Sequence, residues 1–299
     1  MQKQKLINIL EALPFFALAA IARTLPRIPA LKFGRMLGRL SQRVQPKRVK
    51  TAFDNLQRAY PDQDKAWIKQ QIRLNFEHLG ISAMEMLRLD KFSTQQDLEE
   101  NFTIEGQEHL DQLKENNSGA FLLSAHIGFW EIGSFVIPKL GFPCDFVAKT
   151  IRNPYVDQFF LQQRQANGAL CIDSKKGARR IIKSLANKRF VGLLLDQHIS
   201  KKHAVIVDFF NRPAYATPII PQIALKNKTP IVPIFIYRND DFSYRVVIEE
   251  PLVFTEKSTP ESIQQCTQQL TDTIESAVRK HPTQWFWVHR RWRKSAEKK

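Results

Sequence analysis

A chain of 299 residues, 43% of them hydrophobic, can build one large domain or two ordinary ones around a real core, which excludes a disordered polypeptide. Its three cysteines, Cys144, Cys171 and Cys266, are odd in number, widely spaced and without a CxxC pair, which argues against a disulfide scaffold or zinc finger and for a reducing compartment. The net charge of +16 is segregated, with 12 Lys and Arg against 2 acidic groups in residues 1–60 and 8 against 1 in residues 279–299, so that the body between is close to neutral.

The chain opens with LINILEALPFFALAAIARTLP, whose apolar stretch is interrupted by Pro14. A spanning helix needs about 20 apolar residues, so residues 6–22 are just long enough to cross a bilayer. No small-residue cleavage site of the A-x-A type follows. The next segment, RIPALKFGRMLGRLSQRVQPKRVK, sets Arg or Lys every three to five residues among Leu, Phe and Met, the pattern of a basic amphipathic helix on an anionic membrane surface. Basic ends also suit nucleic acid. That reading is disfavoured because the charge sits beside an apolar anchor rather than on an aromatic sheet or recognition helix. Residues 1–50 are therefore expected to form a membrane anchor with a basic amphipathic segment, and 51–299 an α/β domain.

Apolar spacing over 52–88 predicts two helices broken at Pro61, with Asp62 as the cap of the second. Short apolar runs then appear at 119–125, 144–148, 190–195 and 231–237, with a further strand at 244–254. Helices are expected at about 153–167, 175–188, 217–228 and 260–281, with Thr217 capping the third, while Phe209 and Phe210 fall in a loop. Near-continuous apolar strands alternating with helices predict a mixed, mostly parallel sheet flanked by helices. QWFWV, at 284–288, alternates like an edge strand.

The run GAFLL leads into SAHIGFWEIG, which places His126 just past the end of a buried strand and Glu131 five residues on. Neither helix nor strand brings those two side chains together, but a turn at Gly128 can. A carboxylate on one imidazole nitrogen fixes the tautomer and leaves the other nitrogen as a base able to deprotonate a hydroxyl. With no G-x-S-x-G elbow in the chain, that hydroxyl belongs to a substrate. A strand-capping histidine and a glutamate complementing a helix dipole remain the alternative reading of the pair alone.

The His-x4-Glu spacing within LLSAHIGFWEIG resembles the His-x4-Asp/Glu motif of lipid acyltransferases, most closely the late acyltransferases of lipid A biosynthesis, of lauroyl or myristoyl type. Further blocks agree in order: FDNLQRAYP at 53–61, QQRQANG with Arg164, LLLDQH at 193–198, the segment 207–238, and HPTQWFWVHRRWR at 281–293. Ala125 and Phe129 depart from the family pattern, where glycine and asparagine are usual. The resemblance implies a glycerolipid-acyltransferase-like fold at the cytoplasmic face of the inner membrane. It implies a fatty acyl group moved from acyl carrier protein to a hydroxyl of a lipid A precursor, with no cofactor and no acyl-enzyme.

On that resemblance His126 is the base and Glu131 its orienting partner. Backbone N–H groups at 128–131 or the guanidinium of Arg164 would meet the oxyanion, and Arg164 also suits a phosphate. Asp196 closes an apolar strand on the same sheet edge and is expected to bind substrate. A metal on Asp196, His198 and His203 is disfavoured, because the spacing is not that of a helix-borne zinc motif. Arg290, Arg291 and Arg293, beside Trp292, are placed against sugar phosphates at the interface. Other acceptors, such as a glycolipid or phospholipid hydroxyl, and a silent lipid-binding role are the remaining readings.

Overall fold

The computed structural model describes residues 2–173 and 177–292. Nine strands lie in it: β1 (Phe102–Glu105), β2 (Ala120–Ser124), β3 (Cys144–Ala148), β4 (Leu170–Asp173), β5 (Phe190–Leu194), β6 (Val205–Asp208), β7 (Pro213–Ala216), β8 (Ile231–Arg238) and β9 (Tyr244–Ile248). Seven form one sheet in the order β1-β9-β8-β2-β5-β3-β4, and β6 and β7 make a separate hairpin. The β8–β9 pairing is antiparallel and the others in the large sheet are parallel, which is the mixed, mostly parallel architecture expected.

Four helices precede the sheet: α1 (Gln2–Thr24), α2 (Arg27–Val44), α3 (Pro46–Ala59) and α4 (Lys65–Met86). Short helices α5 (Gln95–Asn101) and α6 (Glu108–Glu115) flank β1, and α7 (Gly133–Lys139), α8 (Pro154–Gln165) and α9 (Gly177–Ala186) connect the central strands. Helices α10 (Ile219–Asn227) and α11 (Pro260–Lys280) complete the body. The chain breaks at Pro61 as the sequence suggests, but the cap of α4 is Asp64, which accepts from the Trp67 amide at 2.7 Å, and not Asp62. Thr217 likewise does not cap α10, which begins at Ile219 without a side-chain cap.

The strand β2 shows why the sheet is buried on both faces. Phe121 and Leu123 point into a core shared with α3, α4, α10 and α11, while Ala120 and Leu122 join a second core with α7. All eight residues of β8 are buried. It pairs with β2 through residues 231–233 and with β9 through 234–238, so the missing N–H of Pro233 falls where one ladder hands over to the other.

Four strands were not expected from the sequence. β1 and β4 have four residues each and are at the two edges, too short to show a period. β6 and β7 are joined through Phe210 and Asn211, both at positive φ (57° and 55°), with the Phe209 amide donating to the Arg212 carbonyl. Such a turn is announced by Asn-Gly, and Phe-Asn carries no such signal. QWFWV is not a strand: apart from a single bridge from Trp285 to Ile127 it is turn, with Trp285 and Trp287 both buried.

Helix α1 is long and apolar enough over Gln4–Thr24 to cross a membrane, and little of it is buried. Phe15 sits edge-on to Phe159 and Phe160 of α8, and Asn153 donates to the Asn8 carbonyl. Helix α2 lies tightly on α4: a Cβ on Gly80 would come 2.2 Å from the Gly34 carbonyl oxygen, so glycines let the two backbones touch. The join is reinforced by a buried ionic cluster. Arg238 of β8 donates to Glu85 and Ser82 of α4, and Arg27 of α2 meets the other oxygen of Glu85 at 2.8 Å.

Candidate active site

Strands β2 and β5 run in parallel with Ser124 opposite Leu194, and continuing that register by two residues sets His126 level with Asp196. The two meet. Asp196 accepts from His126 Nδ1 at 2.8 Å through Oδ1 and from the His126 amide at 2.9 Å through Oδ2. Its Oδ2 also takes the Trp285 indole N–H at 2.8 Å, which gives the buried carboxylate three donors. A carboxylate can only accept, so Nδ1 carries the proton and Nε2 keeps its lone pair. Toward that lone pair the Gln197 amide donates at 3.0 Å.

Burial alone would lower the pKa of His126, but the charge and hydrogen bond of Asp196 outweigh it and hold the value above the usual 6.5. Burial pushes the Asp196 carboxyl upward, and the same imidazole more than reverses this, keeping it below its usual range. The pair is therefore a base with its counter-charge already in place.

Glu131 is not the partner of His126. It lies in a 3-10 turn, Trp130–Ile132, and its carboxylate takes a two-pronged ion pair from Arg164 of α8, with Nε to Oε2 and Nη2 to Oε1 both at 2.8 Å. The turn after Gly128 aims residue 131 across to α8 rather than back at the ring. Its charge still raises the His126 pKa as a lesser contribution.

The loop between His126 and Glu131 is fixed from below. Gly128 has φ +59°, and a Cβ there would lie 1.8 Å from the Ile236 carbonyl oxygen. The amides of Gly128 and Phe129 are spent on the carbonyls of Gln284 and Ile236, so they are not oxyanion donors. His78 of α4 sits under the loop. Arg238 donates to its Nδ1 at 2.8 Å, which obliges Nε2–H to donate to the Gly128 carbonyl at 3.0 Å. Complete burial, with Arg238 adding to it, holds the pKa of His78 well below 6.5 and the ring neutral.

Helices α3 and α4 hold the other side. Asn75 of α4 donates to the carbonyls of Thr283 and Trp285, and Asn55 of α3 to those of Trp287 and His289. These amides set the turn that presents the Trp285 indole to Asp196. The signal in the sequence is an asparagine on the apolar face of each helix, buried and so obliged to find partners.

Beside the dyad, α7 and the strands β2, β3, β5 and β8 enclose a largely apolar cleft of about 640 Å³ of empty space, partly open to solvent. Ile137, Phe146, Gly192 and Ile234 line its depth, and Ser124, Trp130, Glu131 and Arg164 are polar or aromatic groups on its wall. Trp130 lies edge-on to the His126 ring, with centroids 4.9 Å apart.

The remaining candidates separate. Asp196, expected to bind substrate, has its carboxylate engaged by His126 and Trp285. Arg291 is 1% exposed, donates to the Tyr215 carbonyl and stands over the Phe209 ring, so it cannot reach a sugar phosphate. Burial lowers its pKa to about 10. Arg290 is exposed, and Arg293 lies outside the described residues.

The family model described as bacterial lipid A biosynthesis acyltransferase matches residues 2–294. The chain belongs to that family. A lipid A biosynthesis acyltransferase of Haemophilus influenzae is 27% identical over 89% of this chain and 84% of its own length. The Escherichia coli lipid A biosynthesis lauroyltransferase is 23% identical, covering 91% of this chain and 88% of its own, and the myristoyltransferase of the same organism is 22% identical, covering 91% and 83%. Among solved structures, the 1-acyl-sn-glycerophosphate acyltransferase of Thermotoga maritima aligns at 15% identity with a TM-score of 0.39, over 86% of this chain and 99% of that one. The His-x4-Glu residues thus have separate partners, His126 hydrogen bonded to Asp196 and Glu131 ion-paired with Arg164.

Proposed function

We propose that the protein transfers a fatty acyl group from acyl carrier protein to a hydroxyl of a lipid A precursor, at the cytoplasmic face of the inner membrane. The observation that carries the reading is the His126 Nε2 lone pair, set by Asp196, beside a largely apolar cleft. The acceptor hydroxyl displaces the Gln197 amide and gives its proton to Nε2. The alkoxide attacks the thioester carbonyl and the carbon–sulfur bond breaks, with the imidazolium returning the proton to the departing thiolate. Asp196 stabilises that imidazolium, and no acyl-enzyme forms.

Glu131 acts through Arg164. The pair uses the Nε and Nη2 edge of the guanidinium and turns Arg164 into the wall of the cleft, where its positive charge faces the developing oxyanion. The amides of Trp130 and Glu131, at the start of a helical turn, are the backbone donors that suit the same task. Arg290 remains available for an acceptor phosphate. Residues 1–50 supply the membrane contact, through the apolar α1 and the basic α2.

The deciding experiment incubates the purified protein in detergent with acyl carrier protein bearing acyl chains of defined length and a lipid A precursor, with mass spectrometry of the lipid. A mass gain of one acyl chain, absent with His126→Ala, is expected. The same gain from acyl-coenzyme A alone would overturn the donor, and acylation of a phospholipid in place of the precursor would overturn the acceptor.

A further inference from the structure

A second cleft lies between α1, α2, α4 and the turn carrying Trp285, with about 850 Å³ of empty space, partly open to solvent. Leu18, Leu37, Leu79, Ala83 and Met84 make its apolar lining, and Ser41, Gln45 and Arg48 supply polar groups. One wall is Phe286.

Phe286 ties this cleft to the chemistry. Its amide donates to the His126 carbonyl at 3.0 Å, and its ring centroid is 6.0 Å from that of His126 and 6.2 Å from that of Trp130. Trp130 lines the first cleft and Phe286 the second. The imidazole ring therefore stands beside one wall residue of each cleft. A reaction that joins two substrates at one histidine needs such an arrangement.

Three observations select the occupant. Leu37 joins the lining to the exposed side chains of Met36 and Leu40 on α2, and Leu18 joins it to α1, whose apolar stretch is long enough for a bilayer. The cleft thus continues the surface that meets lipid. Arg48 is exposed at its edge, on the α2–α3 segment rich in Arg and Lys, which suits an anionic headgroup. The tight glycine contact of Gly38 and Gly80 forms part of the lining, so that wall is rigid backbone.

We infer that this second cleft holds a hydrocarbon chain of the membrane-borne acceptor lipid, with its anionic headgroup at Arg48 and its hydroxyl carried past Phe286 to His126 Nε2. The inference rests on the acyl-transfer reading. It makes the reaction a ternary one: the acceptor oxygen comes from the Phe286 side and the thioester carbon from the Trp130 side. The new ester bond forms as the carbon–sulfur bond breaks, and the proton passes through the imidazole to the thiolate.

The test uses the intact wild-type protein in dodecyl maltoside with a lipid A precursor carrying a diazirine on its hydroxyacyl chain, and a separate acyl carrier protein thioester with a diazirine near the chain end. After irradiation, the acceptor probe should label peptides containing Leu79 or Ala83, and the donor probe those containing Ile137 or Phe146. Ala83→Trp, which fills the second cleft from an exposed position on α4, should raise the acceptor KM at least tenfold and leave the donor KM as it was. Ester formation with acceptor labelling confined to the Ile137 and Phe146 peptides, or an unchanged acceptor KM in Ala83→Trp, overturns the second cleft and spares the acyl-transfer reading. Labelling at Leu79 and Ala83 with no ester formed supports the lipid cleft and sinks the transfer reading.

Discussion

His126 Nδ1 and Asp196 Oδ1 lie 2.8 Å apart, across seventy residues of sequence, and the carboxylate is fully buried behind the ring. Asp196 is what raises the pKa of His126 against the opposing effect of burial. General-base transfer needs the neutral ring, so the rate falls as pH drops through that raised value, above 6.5. Asp196→Asn removes the larger opposing charge and leaves burial countered only by the lesser effect of Glu131. The acid limb of the pH–rate profile should then move below 6.5, and the maximal rate should drop by about 10²- to 10⁴-fold as the wrong tautomer becomes available. A profile whose acid limb stays in place would show that some other group sets it.

The Glu131–Arg164 ion pair should behave as a unit. Removing either partner leaves the other charge half-buried, with side-chain exposures of 19% and 16%. Glu131→Ala and Arg164→Ala should each lower transfer strongly, and the double variant should lose little more than the worse single one. Additive losses in a double-mutant cycle on kcat would mean that the two act separately.

On the proposed reading, the depth of the first cleft sets donor chain length. A Cβ on Gly133 would meet only ordinary contacts, at 3.7 Å from the Phe146 ring, so a side chain there can grow into the cleft without disturbing the backbone. Gly133→Leu should shift the preferred donor to a chain shorter by a few carbons, read by mass spectrometry of products from mixed acyl donors, with thermal stability preserved. Gly192→Leu offers a contrast, because its Cβ would already stand 2.6 Å from Phe146. That variant should lower the unfolding temperature.

The ionic cluster at the helix–sheet junction predicts a stability effect. Arg238 is buried and hydrogen bonded to His78, Ser82 and Glu85, while Tyr244 also donates to Glu85. Arg238→Met leaves Glu85 with less compensation in a dry site and should cost about 3–5 kcal/mol, measured by denaturant unfolding in detergent. Paired Arg238→Met and Glu85→Leu should recover part of that loss.

Much of the fold was legible in the sequence because the central strands are greasy on both faces. GAFLL and FVGLLL announce β2 and β5, and their ends placed His126 and Asp196 on one sheet edge. What the sequence hid was the choice of partner. Glu131 is five residues from His126 and Asp196 is seventy, so proximity along the chain favoured the wrong carboxylate; only the parallel register of β2 with β5 brings the distant one level. Arg291 sits in a basic run that reads as solvent-facing, yet a carbonyl and a phenylalanine ring claim it inside. The roles of Asn55, Asn75, His78 and Trp285 are not legible in the sequence because each acts through hydrogen bonds to segments far away along the chain.

The backbone contact of Gly34 and Gly38 with α4 has a mechanical consequence. His78, on the same helix, holds the Gly128 carbonyl of the loop that carries the base. On the proposed membrane reading, with α1 and α2 at the bilayer, this close backbone contact keeps the imidazole at one height above the lipid. That reading would sort acceptor lipids by how far their hydroxyl stands from the membrane midplane, as well as by what surrounds it.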